Sequence, residues 1–186
     1  MKYYLSIIPN QSTNYSIRKV VGDVGRVFHD QELDVRYTNP EMYSINMIYL
    51  GENLNIFQKL MLKYKLSKFR FNNFYLSFGN VKVGKKREYK GLVYLTIDNG
   101  GDNLRDMYFK LCKVLGNQYN SFFIPHISLG RINNDLSAEE FSNIDVALTS
   151  FNNEYKYNRD EISVSKLLLI ASDNTKLEII KEYQLF

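Results

Sequence analysis

The 186-residue chain has no tryptophan, one cysteine, two histidines and three prolines. With Cys112 alone there is no internal disulfide, and a reducing, cytoplasmic setting is expected. A Cys-rich zinc site is excluded, and two histidines are too few for one built on imidazoles. No metal and no cofactor is expected. Long apolar runs are missing as well. The stretch over residues 2–9 is too short for a signal-peptide core and is broken by Pro9, so it reads as a first strand. No run approaches a membrane span, and no membrane partner is expected. With no low-complexity linker and no break in composition, residues 1–186 read as a single domain.

What is present suits a globular protein with a sizeable core. Hydrophobic residues make up 45% of the chain, and 15 Tyr with 12 Phe supply rings for a core and for cleft walls. The net charge of +4 fits a polyanionic ligand without demanding one.

Helical and strand periods alternate along the chain. Ile17, Val20, Val21, Val24, Val27 and Phe28 recur at helical spacing and predict a helix over 13–28. A short strand over 33–37 and a turn at Asn39-Pro40 lead to a strand over 43–50, closed by Gly51. A helix over 53–64 carries Leu54, Phe57, Leu60 and Met61 on one face. Two strands, 69–83 and 91–97, flank the loop 84–90. Leu104, Met107, Tyr108, Leu111 and Leu115 mark a third helix that ends at Gly116. A strand over 122–130 follows. Ser137-Ala138-Glu139-Glu140 is a capping box opening a helix through Phe141, Ile144 and Leu148. Two closing strands, 161–171 and 176–186, turn at Ser172-Asp173-Asn174. This order predicts an α+β fold: largely antiparallel sheets with helices packed on their outer side.

The chemistry concentrates in Pro125-His126-Ile127-Ser128-Leu129-Gly130-Arg131. Strand alternation turns Ile127 and Leu129 one way and His126 and Ser128 the other. An imidazole and a hydroxyl on one face can meet one small anion, and the planar fork of Arg131 matches phosphate oxygens. A second basic cluster, Lys82, Lys85, Lys86, Arg87 and Lys90 with Tyr89 among them, can hold RNA phosphates while a ring stacks on a base. A lysine-rich solvated hairpin tip is the other reading of that loop. His29 falls at the carboxyl end of the first helix, where a cation suits the helix dipole.

With these residues the chain resembles the 2H phosphoesterases, in particular the branch of 2′-5′ RNA ligases and RNA 2′,3′-cyclic phosphodiesterases. That family carries two His-x-Thr/Ser motifs on strands of two pseudo-symmetric lobes facing a central cleft. The stretch from Pro125 to Arg131 matches the second motif. The first motif's frame survives as Pro40-Glu41 and Tyr49-Leu50-Gly51-Glu52, but its His and Thr positions fall on Ser44 and Asn46. A slipped register would place Met47 at the His position, which is worse chemistry.

The resemblance implies acid–base opening of a cyclic phosphate, with one histidine on either side of the phosphorus. His126 and Ser128 are then the catalytic residues, and Arg131, Asn46 and Ser44 bind phosphate. Lys85, Lys86 and Arg87 bind RNA. The expected partners are RNA with cyclic-phosphate ends or small nucleotides, met by a monomer. With one imidazole missing, a slow cyclic phosphodiesterase is expected. The alternative is an inactive RNA- or nucleotide-binding protein using the same cleft. Whether His126 is the acid or the base stays open. Rebuilding the first motif by Ser44→His and Asn46→Thr is expected to raise turnover.

Overall fold

A computed structural model describes residues 1–86, 89–117, 120, 123–133, 135–155, 162–173 and 176–186. Strand β1 (Lys2–Ile7) leads into helix α1 (Gln11–Asp30), whose first turn is capped by the Asn10 side chain accepting from the Thr13 amide at 2.9 Å. The helix buries Ile17, Val20, Val24 and Phe28, the stripe its spacing predicts. Strand β2 (Val35–Tyr37) and a 3-10 turn at Pro40–Met42 precede β3 (Ile45–Glu52). Helix α2 (Ile56–Ser67) follows, then β4 (Phe74–Leu76), β5 (Phe78–Val83) and β6 (Leu92–Ile97). Helix α3 (Gly101–Leu115) stops at Gly116, which takes the left-handed conformation at φ 75°. Strand β7 (His126–Ile132) carries the motif, and α4 (Ala138–Glu154) starts on the Ser137–Glu140 capping box. Strands β8 (Ile162–Val164), β9 (Lys166–Ser172) and β10 (Leu177–Gln184) close the chain.

The strands form two antiparallel four-stranded sheets, ordered β10-β9-β1-β3 and β2-β7-β6-β5, and a small pair β4-β8. One apolar face of each large sheet joins the helices in a continuous core that runs from Leu5, Ile45 and Met47 through Leu104 and Met107 to Leu95, Ile127 and Leu129. Strands β3 and β7 lie against one another where the sheets meet. The fold is α+β, as the alternation of periods predicts.

Four differences have physical causes. The single strand expected over 69–83 breaks at Ser77, whose amide donates to the Asn99 carbonyl while β4 pairs with β8. The strand expected over 161–171 breaks at Ser165, whose carbonyl accepts from the Leu185 amide. The motif strand begins at His126 because Pro125 has no amide to contribute to a ladder. Helix α2 is rotated relative to its expected face. It buries Leu62 and Leu66, while Phe57 (73%), Leu60 and Met61 stay exposed. Asn55 and Gln58 form its capping box, a start signal the expected boundary at 53 passed over. Asn174 of the expected final turn, Phe122 and Glu161 lie outside the described residues. Among the described residues, no helix is long and apolar enough to cross a membrane.

Candidate active site

Along β7 the apolar side chains Ile127 and Leu129 are fully buried, and His126 and Ser128 stand on the opposite face. Cross-strand pairing sets Thr96 beside His126 and Tyr94 beside Ser128, with Lys82 beside Tyr94 one strand further out. These residues make one polar face. Between Ser128 and Gly130 the ladder slips by one residue, so Leu129 is an extra, bulged residue. The bulge returns Arg131 to the face of Ser128, because their partners Leu92 and Tyr94 are two apart on β6. Strand β2 passes so close to Gly130 that a Cβ there would lie 2.9 Å from the Arg36 carbonyl oxygen.

Strand β3 carries the same irregularity in the same place. Its ladder with β1 slips between Asn46 and Ile48, leaving Met47 as the extra residue. Counting from the bulge, Asn46 corresponds to Ser128, Ser44 to His126 and Tyr49 to Arg131. This correspondence is the register the Pro40–Gly51 frame predicts.

The imidazole of His126 is fixed by a hydrogen bond of 2.8 Å between Nδ1 and the Ile124 carbonyl oxygen. A carbonyl only accepts, so Nδ1 carries the proton and Nε2 is left as the acceptor of the neutral ring. Tyr94 and Tyr89 meet the ring edge-on, at centroid distances of 5.3 and 5.8 Å. Burial pulls the pKa of His126 below that of an ordinary histidine, and the Ile124 carbonyl opposes this only in part. At neutral pH the ring is therefore uncharged.

His126 lines a cavity of about 460 Å³. Its other walls are Lys82 and Tyr94 of the sheet, Lys85, Lys86 and Tyr89 of the basic loop, and Asp145, Thr149 and Asn152 of α4. The Asn152 amide braces this wall by bonding both the amide and the carbonyl of Val81 at 3.0 Å. Lys85 is ion-paired to Asp145, and Lys90 to Asp135 at 2.9 Å. Lys82 forms no ion pair among the described residues. Arg87 lies outside the described residues. The α4 residues escaped the sequence reading, since nothing local ties a helix some twenty residues downstream to the histidine.

The other expected site residues lie around this cavity rather than in it. Asn46 is exposed, and its Oδ1 accepts from the hydroxyls of Ser6 at 2.7 Å and Ser44 at 3.2 Å. Its Nδ2 has no partner among the described residues and is free to donate outward. Ser44 is buried at 8% exposure, and among the described residues its hydroxyl is within reach only of Asn46 and the Met42 carbonyl. Its hydroxyl therefore helps to orient Asn46. Arg131 donates to the Lys90 carbonyl at 2.6 Å and lines a separate groove with Asp135. His29 sits exposed in the last turn of α1, away from the site. Among the described residues, no three His, Cys, Asp or Glu side chains gather as a metal centre would need.

No family model matches the sequence, and no curated protein matches it. Solved structures do match. A crystal structure described as a phosphoesterase superimposes with a TM-score of 0.72 at 14% identity, over 99% of this chain and 98% of its own. LigT of E. coli, solved with 3′-AMP, gives 0.71 at 14% identity over 99% and 97%. Usb1 of Kluyveromyces marxianus gives 0.59 at 10% identity over 96% of each chain. At such identities the likeness is one of fold, and the chain has the α+β fold of LigT.

Proposed function

We propose that the chain is a divergent, slow 2′,3′-cyclic phosphodiesterase acting on nucleotide or RNA ends, with His126 as its general base. The observation that carries this reading is the Nδ1 bond to the Ile124 carbonyl, which leaves Nε2 as the proton acceptor in a cavity containing lysines and tyrosines. LigT, which shares the fold, was solved with 3′-AMP bound, a product-like ligand for such a reaction.

In the proposed step a water oxygen attacks phosphorus as His126 Nε2 takes its proton. The bond from phosphorus to one ribose oxygen then breaks, and that oxygen takes a proton from solvent. Asn46 Nδ2 and the Ser128 hydroxyl donate to non-bridging oxygens as charge builds on them. The slow step follows from Ser44. It occupies the place of a second imidazole, is buried, and has no proton to give near neutral pH. Loss of such an acid costs about 10²–10⁴-fold.

The same burial of Ser44 favours a second reading, a nucleotide-binding protein without turnover. Incubation with the four nucleoside 2′,3′-cyclic monophosphates, with products separated by chromatography, distinguishes them. Hydrolysis that is lost in His126→Ala supports the phosphodiesterase. Binding with no product in the wild type supports the binding protein.

A further inference from the structure

Helix α2 packs by one narrow stripe and leaves a wider one uncovered. Leu62 and Leu66 are buried, and the Lys65 ammonium donates to the Leu115 carbonyl at 2.8 Å, which holds the helix against α3. At about 100° per residue, Ile56, Leu60, Tyr64, Phe57 and Met61 fill one arc of roughly 140° on the other side. Their exposures run from 46% for Met61 to 80% for Ile56, which describes a ridge rather than a groove.

Cations border this ridge on both flanks. Lys63 and Lys59 follow one edge of the arc and Lys65 the other, while Lys68 closes its carboxyl end. None of the four has an ion pair among the described residues. The sequence holds no Asp or Glu anywhere over residues 53–87, so the helix presents charge of one sign only.

That pattern selects among partners. A two-fold contact with a second copy would set lysines against lysines. A helix of 12 residues, about 18 Å long, also falls short of supplying by itself the ~800 Å² per partner of a stable interface. RNA would meet the lysines but leave the aliphatic Ile56, Leu60 and Met61 in water. An acidic protein would need a groove shaped to the ridge. An anionic lipid surface makes no such demand: it takes up protruding apolar side chains, and its headgroups meet the flanking ammoniums while the lysine stems lie along the boundary.

We propose that α2 is an interfacial helix that docks the protein on an anionic lipid surface, with its exposed apolar ridge entering the headgroup boundary. No helix among the described residues is long and apolar enough to cross a membrane, so the helix lies on the surface rather than spanning it. No α2 side chain lines the His126 cavity, and the docking does not depend on the reaction proposed there.

The test is co-sedimentation of the full chain with vesicles of phosphatidylcholine alone, or of equal parts phosphatidylcholine and phosphatidylglycerol. Wild type is expected to partition onto the anionic vesicles about 10-fold or more tightly than onto the neutral ones, and added salt should shrink that difference. Phe57→Ser/Leu60→Ser should lower the anionic partition about 10-fold or more through lost apolar area. Lys63→Gln/Lys68→Gln should lower it about 10-fold through lost charge. All four positions are exposed, so melting curves followed by circular dichroism should match wild type. No partition onto either vesicle, equal partition onto both, or an anionic partition that neither variant alters overturns the proposal. A wild type that sediments as a dimer without lipid, and as a monomer in Phe57→Ser/Leu60→Ser, overturns it in favour of a second copy. Binding of a single-stranded RNA that both variants lose, with no vesicle binding, overturns it in favour of RNA.

Discussion

His126 Nδ1 stands 2.8 Å from the carbonyl oxygen of Ile124, two residues before it on the approach to β7. This contact fixes the tautomer of the one histidine in the cleft and turns Nε2 towards the cavity, as the proposed base role needs. Burial lowers the ring's pKa, so the base form is already populated at neutral pH. The ratio kcat/KM should rise with pH along a single limb whose midpoint lies below the ordinary histidine value of about 6.5, then stay flat. The linked stability has the same sign. Folding favours the neutral ring, so this contribution is complete above about pH 6.5 and is lost as pH falls towards the folded-state pKa. A rate that falls with pH across this range would make His126 the acid.

Asn46 divides its amide between two jobs. Its oxygen takes the hydroxyls of Ser6 and Ser44, and its nitrogen is left for a ligand. Asn46→Asp keeps the acceptor and replaces the donor with a negative charge. It should weaken binding of a cyclic mononucleotide about 10-fold or more, at one to two lost charge-assisted bonds. The melting temperature should stay close to wild type. Asn46→Ala should instead destabilise by about 1–3 kcal/mol, because the fully buried Ser6 hydroxyl loses its partner. If both variants shift stability equally and spare binding, Asn46 belongs to the scaffold alone.

The basic loop is less positive at the cavity than its sequence implies, because Lys85 is paired with Asp145. Lys85→Gln should weaken nucleotide binding chiefly by leaving Asp145 uncompensated in the same cavity. Adding Asp145→Asn should then restore it to near the wild-type value. Lys82→Gln removes an unpaired cation and should lower the slope of log affinity against log salt by about one. No rescue by Asp145→Asn would mean that Lys85 touches phosphate itself.

Regular periodicity made α1, α3 and β7 legible in the sequence, and the Ser137–Glu140 pair announced α4. Helix α2 was misread because it has two apolar stripes. Phe57, Leu60 and Met61 imitate a core face, while Leu62 and Leu66 are the side chains that pack. The matched bulges at Met47 and Leu129 were invisible, since each is an apolar residue where simple alternation expects one. The faces of Tyr49 and Arg131 depend on those bulges. The α4 wall of the His126 cavity comes from tertiary packing, for which no local pattern exists. Ser44 was placed correctly next to Asn46, but its burial depends on how the 3-10 turn at Pro40–Met42 closes over it, and alternation cannot foresee that.

That burial reverses the expectation for rebuilding the first motif. In Ser44→His/Asn46→Thr an imidazole must enter a site where the serine hydroxyl already spans the gap between the Met42 carbonyl and Asn46. Forcing a larger ring into a packed wall costs about 1–3 kcal/mol. In a chain of this size, that lowers the melting temperature by several degrees. The new ring gains no route to the phosphate, and the substitution of Asn46 also removes its Nδ2 donor. The double variant should therefore melt lower, turn over no faster than wild type and keep the single rising limb of its pH profile. A bell-shaped profile with wild-type stability would show that the wall opens at residue 44 in solution, and that the second acid of a paired mechanism is two substitutions away.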